Sequence, residues 1–121
     1  MENLVSGDLA IEVYTDANPM RVVWRGKSTQ RDPGLFLKPF FQRLVSEAAA
    51  RGEAVEMHFE SLEHFNSSTI TTVIAVIEEM RQHKVKLEVV YNGALRSQRL
   101  SFDALRIFVR DDGMLILRGT P

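Results

Sequence analysis

Apolar and polar positions change period several times along this chain, and each change marks an element. Leu9, Ile11 and Val13 alternate with Ala10, Glu12 and Tyr14, the period of two expected of a strand with one face in a core. Asp16-Ala17-Asn18-Pro19 supplies turn chemistry before a second β-rich run, Met20 to Trp24, which ends at Gly26. So short a connection joins antiparallel neighbours, and the first two strands are predicted to form a hairpin. The period then lengthens: Leu37, Phe40, Phe41, Leu44, Val45 and Ala48 make a helical stripe that runs to Gly52, a natural stop. Asp32-Pro33-Gly34 is suited to open this helix, with Asp32 as cap and Pro33 at the first helical position. Pro39 removes one backbone donor, which predicts either a start near Lys38 or a kinked first turn.

Ala54 to Phe59 returns to a period of two, with Val55, Met57 and Phe59 on one face. Ile70, Val73, Ile74, Ile77 and Met80 then fall at helical spacing, so a second helix starts close to Asn66 or Ser67. Ile74 and Ile77 are expected between helix and sheet. His83-Lys84 ends this helix with positive charge suited to a C-terminus. Lys86 to Tyr91 is apolar on both faces, at Leu87, Val89, Val90 and Tyr91, which predicts an interior strand. Asn92-Gly93 breaks it, and Ala94 to about Phe108 is predicted as a third helix through Leu95, Leu100, Leu105 and Phe108. Asp111-Asp112-Gly113 turns into a last strand, Met114 to Leu117. The predicted order is β-β-α-β-α-β-α-β. This is a single α/β domain over residues 1–121 with a mixed, mostly parallel sheet packed with helices.

Composition narrows the function classes. A chain of 121 residues buries enough surface for one core and too little for two. A formal charge of -1 speaks against nucleic-acid binding, which needs a clustered cationic excess. No apolar run approaches a membrane span, and the Met-Glu-Asn-Leu start lacks the basic and apolar regions of a signal peptide, so a cytoplasmic protein is expected. With no cysteine there are no disulfides, thiolate metal sites or cysteine nucleophiles. The histidines, His58, His64 and His83, have no metal-site spacing, and no metal or other cofactor is expected. Ser67 and Ser68 lack the flanking glycines of a nucleophile elbow, and no Gly-rich phosphate loop is present. Glu53, Glu56, Glu78 and Glu79 read as solvated faces rather than a matched acid and base, so the chain is predicted not to be an enzyme.

The chemistry that remains lies at Asn66-Ser67-Ser68-Thr69. Several side-chain oxygens crowd a helix N-terminus, where backbone N–H groups lack partners and the helix dipole favours negative charge. One helix needs one cap, so a cap accounts for one of these four residues and leaves the others merely permitted. His64 stands three residues before Ser67. The arginines Arg96, Arg99, Arg106 and Arg110 belong to the third helix and its exit, as a solvated face whose stems pack over apolar neighbours. Loops after successive parallel strands open at one sheet edge, which would set Asn92-Gly93 and Arg96 beside the Ser67 turn.

The strand, the run Phe65-Asn66-Ser67-Ser68-Thr69-Ile70 and the amphipathic helix after it resemble the STAS fold of bacterial anti-sigma-factor antagonists. There Asp-Ser-Ser/Thr-Gly opens the corresponding helix. Asn66 in place of Asp and Thr69 in place of Gly resemble the SiaC-like regulatory phosphoproteins, which carry an Asn-Thr-Ser-Ser run. Trp24-Arg25-Gly26-Lys27-Ser28, the Pro-containing first helix and Tyr91 sit where that group has similar features, and the similarity extends over roughly Leu9 to Phe108. The resemblance implies a regulator switched by phosphorylation of Ser67, with Ser68 the second candidate. It also implies a protein serine kinase, a PP2C-type phosphatase and a downstream target as partners. That target is a diguanylate cyclase in one group and an anti-sigma factor, itself a kinase, in the other. Two other readings use the same residues: a constitutive interaction or scaffold domain in which Asn66 to Thr69 only cap the helix, and a carrier holding a small anion there.

Overall fold

In the computed structural model, which describes all 121 residues, the longest strand is β3, Met20–Ser28. It pairs antiparallel with β2 (Leu9–Tyr14), which pairs in turn with a short edge strand, β1 (Leu4–Ser6). Its other edge carries two strands end to end, both parallel to it. β4 (Val55–His58) lies along Met20–Val23, and β5 (Leu62–Phe65) lies along Gly26–Ser28. Beyond β4 come β6 (Leu87–Asn92) and β7 (Leu115–Thr120), again parallel, so the spatial order is β1-β2-β3-β4-β6-β7 with β5 off that path. The helices are α1 (Gly34–Arg51), α2 (Ser67–Gln82) and α3 (Arg96–Asp103), the last followed by a 3₁₀ turn, Ala104–Phe108.

One face of the sheet carries the core. Ile11 opposes Trp24, Val22 opposes Met57, Met57 opposes Val89 and Val89 opposes Leu117, and Ile11, Trp24, Val22, Met57, Val89 and Leu117 are all buried. Against them lie Leu37, Phe40, Phe41, Leu44, Val45 and Ala48 of α1, the predicted stripe, and the inner face of α2. The opposite face is polar: Arg25 pairs with Glu12 at 2.6 Å, Arg118 with Glu88 at 2.6 Å, and His58 stands between Glu56 (2.5 Å) and Glu60 (2.8 Å). β6 is interior, as its two apolar faces predict, with Val90 buried on the polar side.

Several elements depart from expectation, each for a physical reason. α1 starts at Gly34 and runs through Pro39, because the apolar stripe on both sides of the proline packs whether or not one backbone bond is made. Its N-cap is Pro33 without a side-chain cap; Asp32 contributes its carbonyl, accepting from the Leu35 N–H at 3.3 Å. The buried face of α2 is Thr69, Thr72, Val73, Val76, Ile77 and Met80, so Ile74, expected inside, is only half-buried. The predicted third helix is a helix of eight residues and a 3₁₀ turn, and its inward positions are Gln98, Phe102 and Leu105. Leu100, counted into its stripe, is 60% exposed.

β1 and β5 are additional strands. β5 arises because Phe59-Glu60-Ser61 swings the chain out of the β4 line and back onto β3, with Gly26 N–H donating to the Ser61 carbonyl at 3.3 Å. The register of β5 on β3 shifts at Gly26, where β3 also closes against the β1–β2 turn. The Gly26 φ is +85°, and a Cβ there would lie 2.1 Å from the Asp8 carbonyl oxygen, so no other residue fits.

Candidate functional site

The parallel strands β3, β5 and β6 all deliver their C-terminal ends to one edge of the sheet, and the residues singled out in the sequence gather there. Asn66 is the N-cap of α2. Its backbone is extended, and its side-chain Oδ1 accepts from the Thr69 N–H at 2.9 Å. The amide end of the same side chain donates to the Gln30 carbonyl at 2.9 Å, and the Asn66 N–H donates to the Ser28 carbonyl at 3.1 Å. One asparagine therefore caps the helix and fastens it to the loop leaving β3. Aspartate could cap, but it has no N–H to give Gln30.

Thr69 is buried, and its hydroxyl lies 2.7 Å from that of Ser28, 3.0 Å from the Ser28 carbonyl and 2.9 Å from Asn66 Oδ1. A hydroxyl has one proton. When Thr69 donates toward Asn66 or the Ser28 carbonyl, the Ser28 hydroxyl is left to donate to Thr69, and both buried groups are satisfied. Thr69 is thus structural and sealed from any enzyme that would modify it.

Ser67 and Ser68 are different. They occupy the first two helical positions, Ser67 exposed and Ser68 half-buried, and neither hydroxyl makes a hydrogen bond within the chain. Only their carbonyls are used, accepting from the Thr71 and Thr72 hydroxyls at 3.1 and 3.0 Å as the helix begins. With the cap supplied by Asn66, these two hydroxyls have no part in holding the helix start.

His64 is exposed near the end of β5, in register with Lys27 of β3. Arg96 opens α3, exposed and without an ion pair, and the α3 residues that line a groove of about 240 Å³ with Glu63, His64 and Phe65 are Ser97, Leu100 and Ser101. The sequence from Gly52 to Met80 contains no Lys or Arg, yet the fold brings cations up from an earlier segment. Arg31 adjoins Gln30, the residue Asn66 holds, and Lys27 lies beside His64. Ser28 was legible as a polar residue in phase with Met20, Val22 and Trp24, which marks it as inward-facing.

Gln98 carried no such sign. It is fully buried, donates from Nε2 to the Phe59 and Leu62 carbonyls at 2.7 and 2.9 Å, and accepts from the Asn92 N–H at 2.7 Å. The break between β4 and β5 leaves those carbonyls without a strand partner, and the amide takes the place of the missing ladder. Phe102, one turn on, packs against Phe59, Phe65 and Tyr91 at 4.6, 5.8 and 5.5 Å between ring centroids. Tyr91 donates to Asp103 and accepts from Arg106 at 3.1 Å, which fastens the far end of α3 to β6.

This architecture is the STAS-like fold, a mixed, mostly parallel sheet with its helices packed on the apolar face. No family model matches the chain, and no curated protein matches it in sequence. Solved structures do match. The chain aligns over 98% of its length with 98% of a chain in the crystal structure of the diguanylate cyclase SiaD in complex with its activator SiaC from Pseudomonas aeruginosa, at a TM-score of 0.68 and 15% identity. It also aligns over 89% of its length with 90% of the Bacillus cell fate determinant SpoIIAA in the phosphorylated form, at a TM-score of 0.54 and 15% identity. At this identity the likeness is one of fold. No helix is long and apolar enough to cross a membrane.

Proposed function

We propose that this protein is a partner-switching regulator without a catalytic step of its own, turned on and off by reversible phosphorylation at Ser67, with Ser68 the second position. The observation that carries this reading is the division of labour at the α2 start. Asn66 and Thr69 do all the structural work, and two serines beside them present unbonded hydroxyls at a helix N-terminus. A phosphate there would face the free N–H groups of the first turn, an interaction worth about 0.3–2 kcal/mol, and would add about 1.5–2 negative charges and three strong acceptors. The fold tolerates that change, since no buried contact is broken to make it. Its consequence falls on whatever docks beside it.

The similar folds support the same reading: one belongs to an activator of a diguanylate cyclase, the other to a phosphorylated cell fate determinant. The partners are a protein serine kinase, a PP2C-type phosphatase and one downstream target, a diguanylate cyclase or an anti-sigma factor. Unmodified protein binds the target, and phosphorylated protein releases it. Intact-mass measurement of the protein purified from its own host, before and after phosphatase treatment, tests the reading. The expected result is one removable phosphoryl group, mapped to Ser67 and lost in Ser67→Ala. Unmodified protein in every growth phase would overturn the switch and leave a constitutive interaction domain.

A further inference from the structure

The outward side of α3 and its 3₁₀ turn concentrates two features, exposed large apolar side chains and arginines. Of the chain's eight exposed large apolar side chains, four fall within this one segment: Leu95 (43%), Leu100 (60%), Ile107 (82%) and Val109 (41%). Among them stand four arginines, Arg96, Arg99, Arg106 and Arg110, against a single acidic residue, Asp103, in a chain whose formal charge is -1. Arg106 is paired with Asp103 at 3.5 Å, but Arg96 and Arg99 have no carboxylate partner, and Arg110 reaches Asp112 only at longer range, Asp112 being already paired with Arg81 at 2.7 Å; Arg21, Arg31 and Arg43 are also unpaired but stand apart from one another in the sequence. Arg99 reaches only the Gly93 carbonyl, at 3.2 Å. Internal pairing therefore does not explain these charges, and core packing does not explain the leucine and isoleucine.

We infer that this surface is the docking site for an acidic, apolar face of the partner protein, with Leu100 and Ile107 as its apolar anchors and Arg96, Arg99 and Arg110 as its counter-charges. The inference rests on the proposed switch and deepens it. The interleaved apolar residues favour a protein over a nucleic acid, since phosphate backbones reward cations and offer nothing to an exposed isoleucine. The groove formed by Ser97, Leu100 and Ser101 with Glu63, His64 and Phe65 leads from this surface to within two residues of Ser67. A dianion at Ser67 would repel the partner's acidic groups and compete with them for the arginines, which accounts for release without rearrangement of the fold.

The test places a photo-crosslinking residue at position 100, 107 or, as a control on the polar sheet face, 21, in the full chain expressed in its host. Crosslinked partner segments are then identified by mass spectrometry. The expected result is one protein captured from positions 100 and 107 and not from 21, through a segment rich in Asp, Glu and apolar residues. Adduct yield should fall about tenfold or more when Arg96, Arg99 and Arg110 are changed to Glu, with circular dichroism unchanged. No adduct at 100 or 107, equal capture from 21, a nucleic-acid adduct, or a basic partner segment would each overturn the docking site. Ser67→Asp separates the two readings. An adduct at 100 that is abolished by Ser67→Asp supports both, and one that persists undiminished keeps the docking site while removing the switch.

Discussion

Two strand-to-helix junctions open at the same sheet edge, and they are built in opposite ways. Where β5 passes into α2, the chain supplies its own cap: Asn66 accepts from Thr69, Thr69 joins Ser28, and the helix that follows lays six residues into the interior. Where β6 passes into α3, the N-cap position is Leu95, which has no side-chain bond to offer, and the turn is closed by Asn92, whose Oδ1 accepts from the Ala94 N–H at 2.9 Å. A helix of eight residues is too short to persist on its own. With no side-chain cap, α3 is held by polar links from inside the helix to the sheet, Gln98 at one end and Asp103 with Tyr91 at the other. The comparison teaches where a surface can be spared for function. At α2, the Asn66 cap together with the bonds of Asn66 and Thr69 to the β3 exit leaves two serines idle; at α3, where no side chain caps the helix, the inward amide carries the anchoring and leaves the outward face to arginines and exposed apolar residues.

The largest effect should come from the packed junction. Ile77→Ala removes a buried side chain between α2 and the sheet and should cost about 2–5 kcal/mol in urea denaturation. Leu100→Ala on α3 should change stability by less than about 0.5 kcal/mol. A large loss at Leu100 would mean that the outer face of α3 is part of the core.

Gln98→Leu should cost about 2–3 kcal/mol, since it leaves the Phe59 and Leu62 carbonyls and the Asn92 N–H buried without partners. Amide hydrogen exchange should show α3 opening well before α2 in this variant. Simultaneous opening of the two helices would show that the α3 junction is not independently anchored.

At the α2 cap a smaller loss is expected. Asn66→Ala should cost about 1–2 kcal/mol, combining the lost cap with the lost bond to Gln30, and Ser67→Ala and Ser68→Ala less than about 0.5 kcal/mol each. Thermal melts of the three variants compare them directly. A Ser67 loss equal to that of Asn66 would give Ser67 a structural role and weaken the case for a free hydroxyl.

The smallest effect concerns pH. Burial, and then the hydrogen bond to Asp103, raise the Tyr91 phenol above its ordinary value of 10.0, with Arg106 pulling the other way. A group that keeps its proton more firmly when folded adds stability that is complete below the unfolded value and is lost as pH rises through the folded one. Stability should therefore decline above about pH 10, and Tyr91→Phe should reduce that slope. An unchanged slope in the phenylalanine variant would show that α3 is not held through this phenol.

Periodicity and punctuation along the chain carried most of the fold. The hairpin of β2 and β3, the α1 stripe from Leu37 to Ala48, the start of α2 beside Asn66 and the interior place of β6 all follow from residues a few positions apart, because side-chain direction in a helix or strand repeats within one or two turns. The departures lie where distant segments decide. β5 exists because β3 is long enough to pair twice, and Gln98 is buried because a break between β4 and β5 leaves carbonyls that only a side chain from another element can reach. The same holds at the candidate site. Sequence marked Asn66, Ser67, Ser68 and Thr69 as a group, but only the tertiary structure divided them, since Thr69 is sealed by Ser28 from 41 positions away and Asn66 is held by Gln30 from 36 positions away. Which hydroxyl is left free is a property of those partners and not of the run itself.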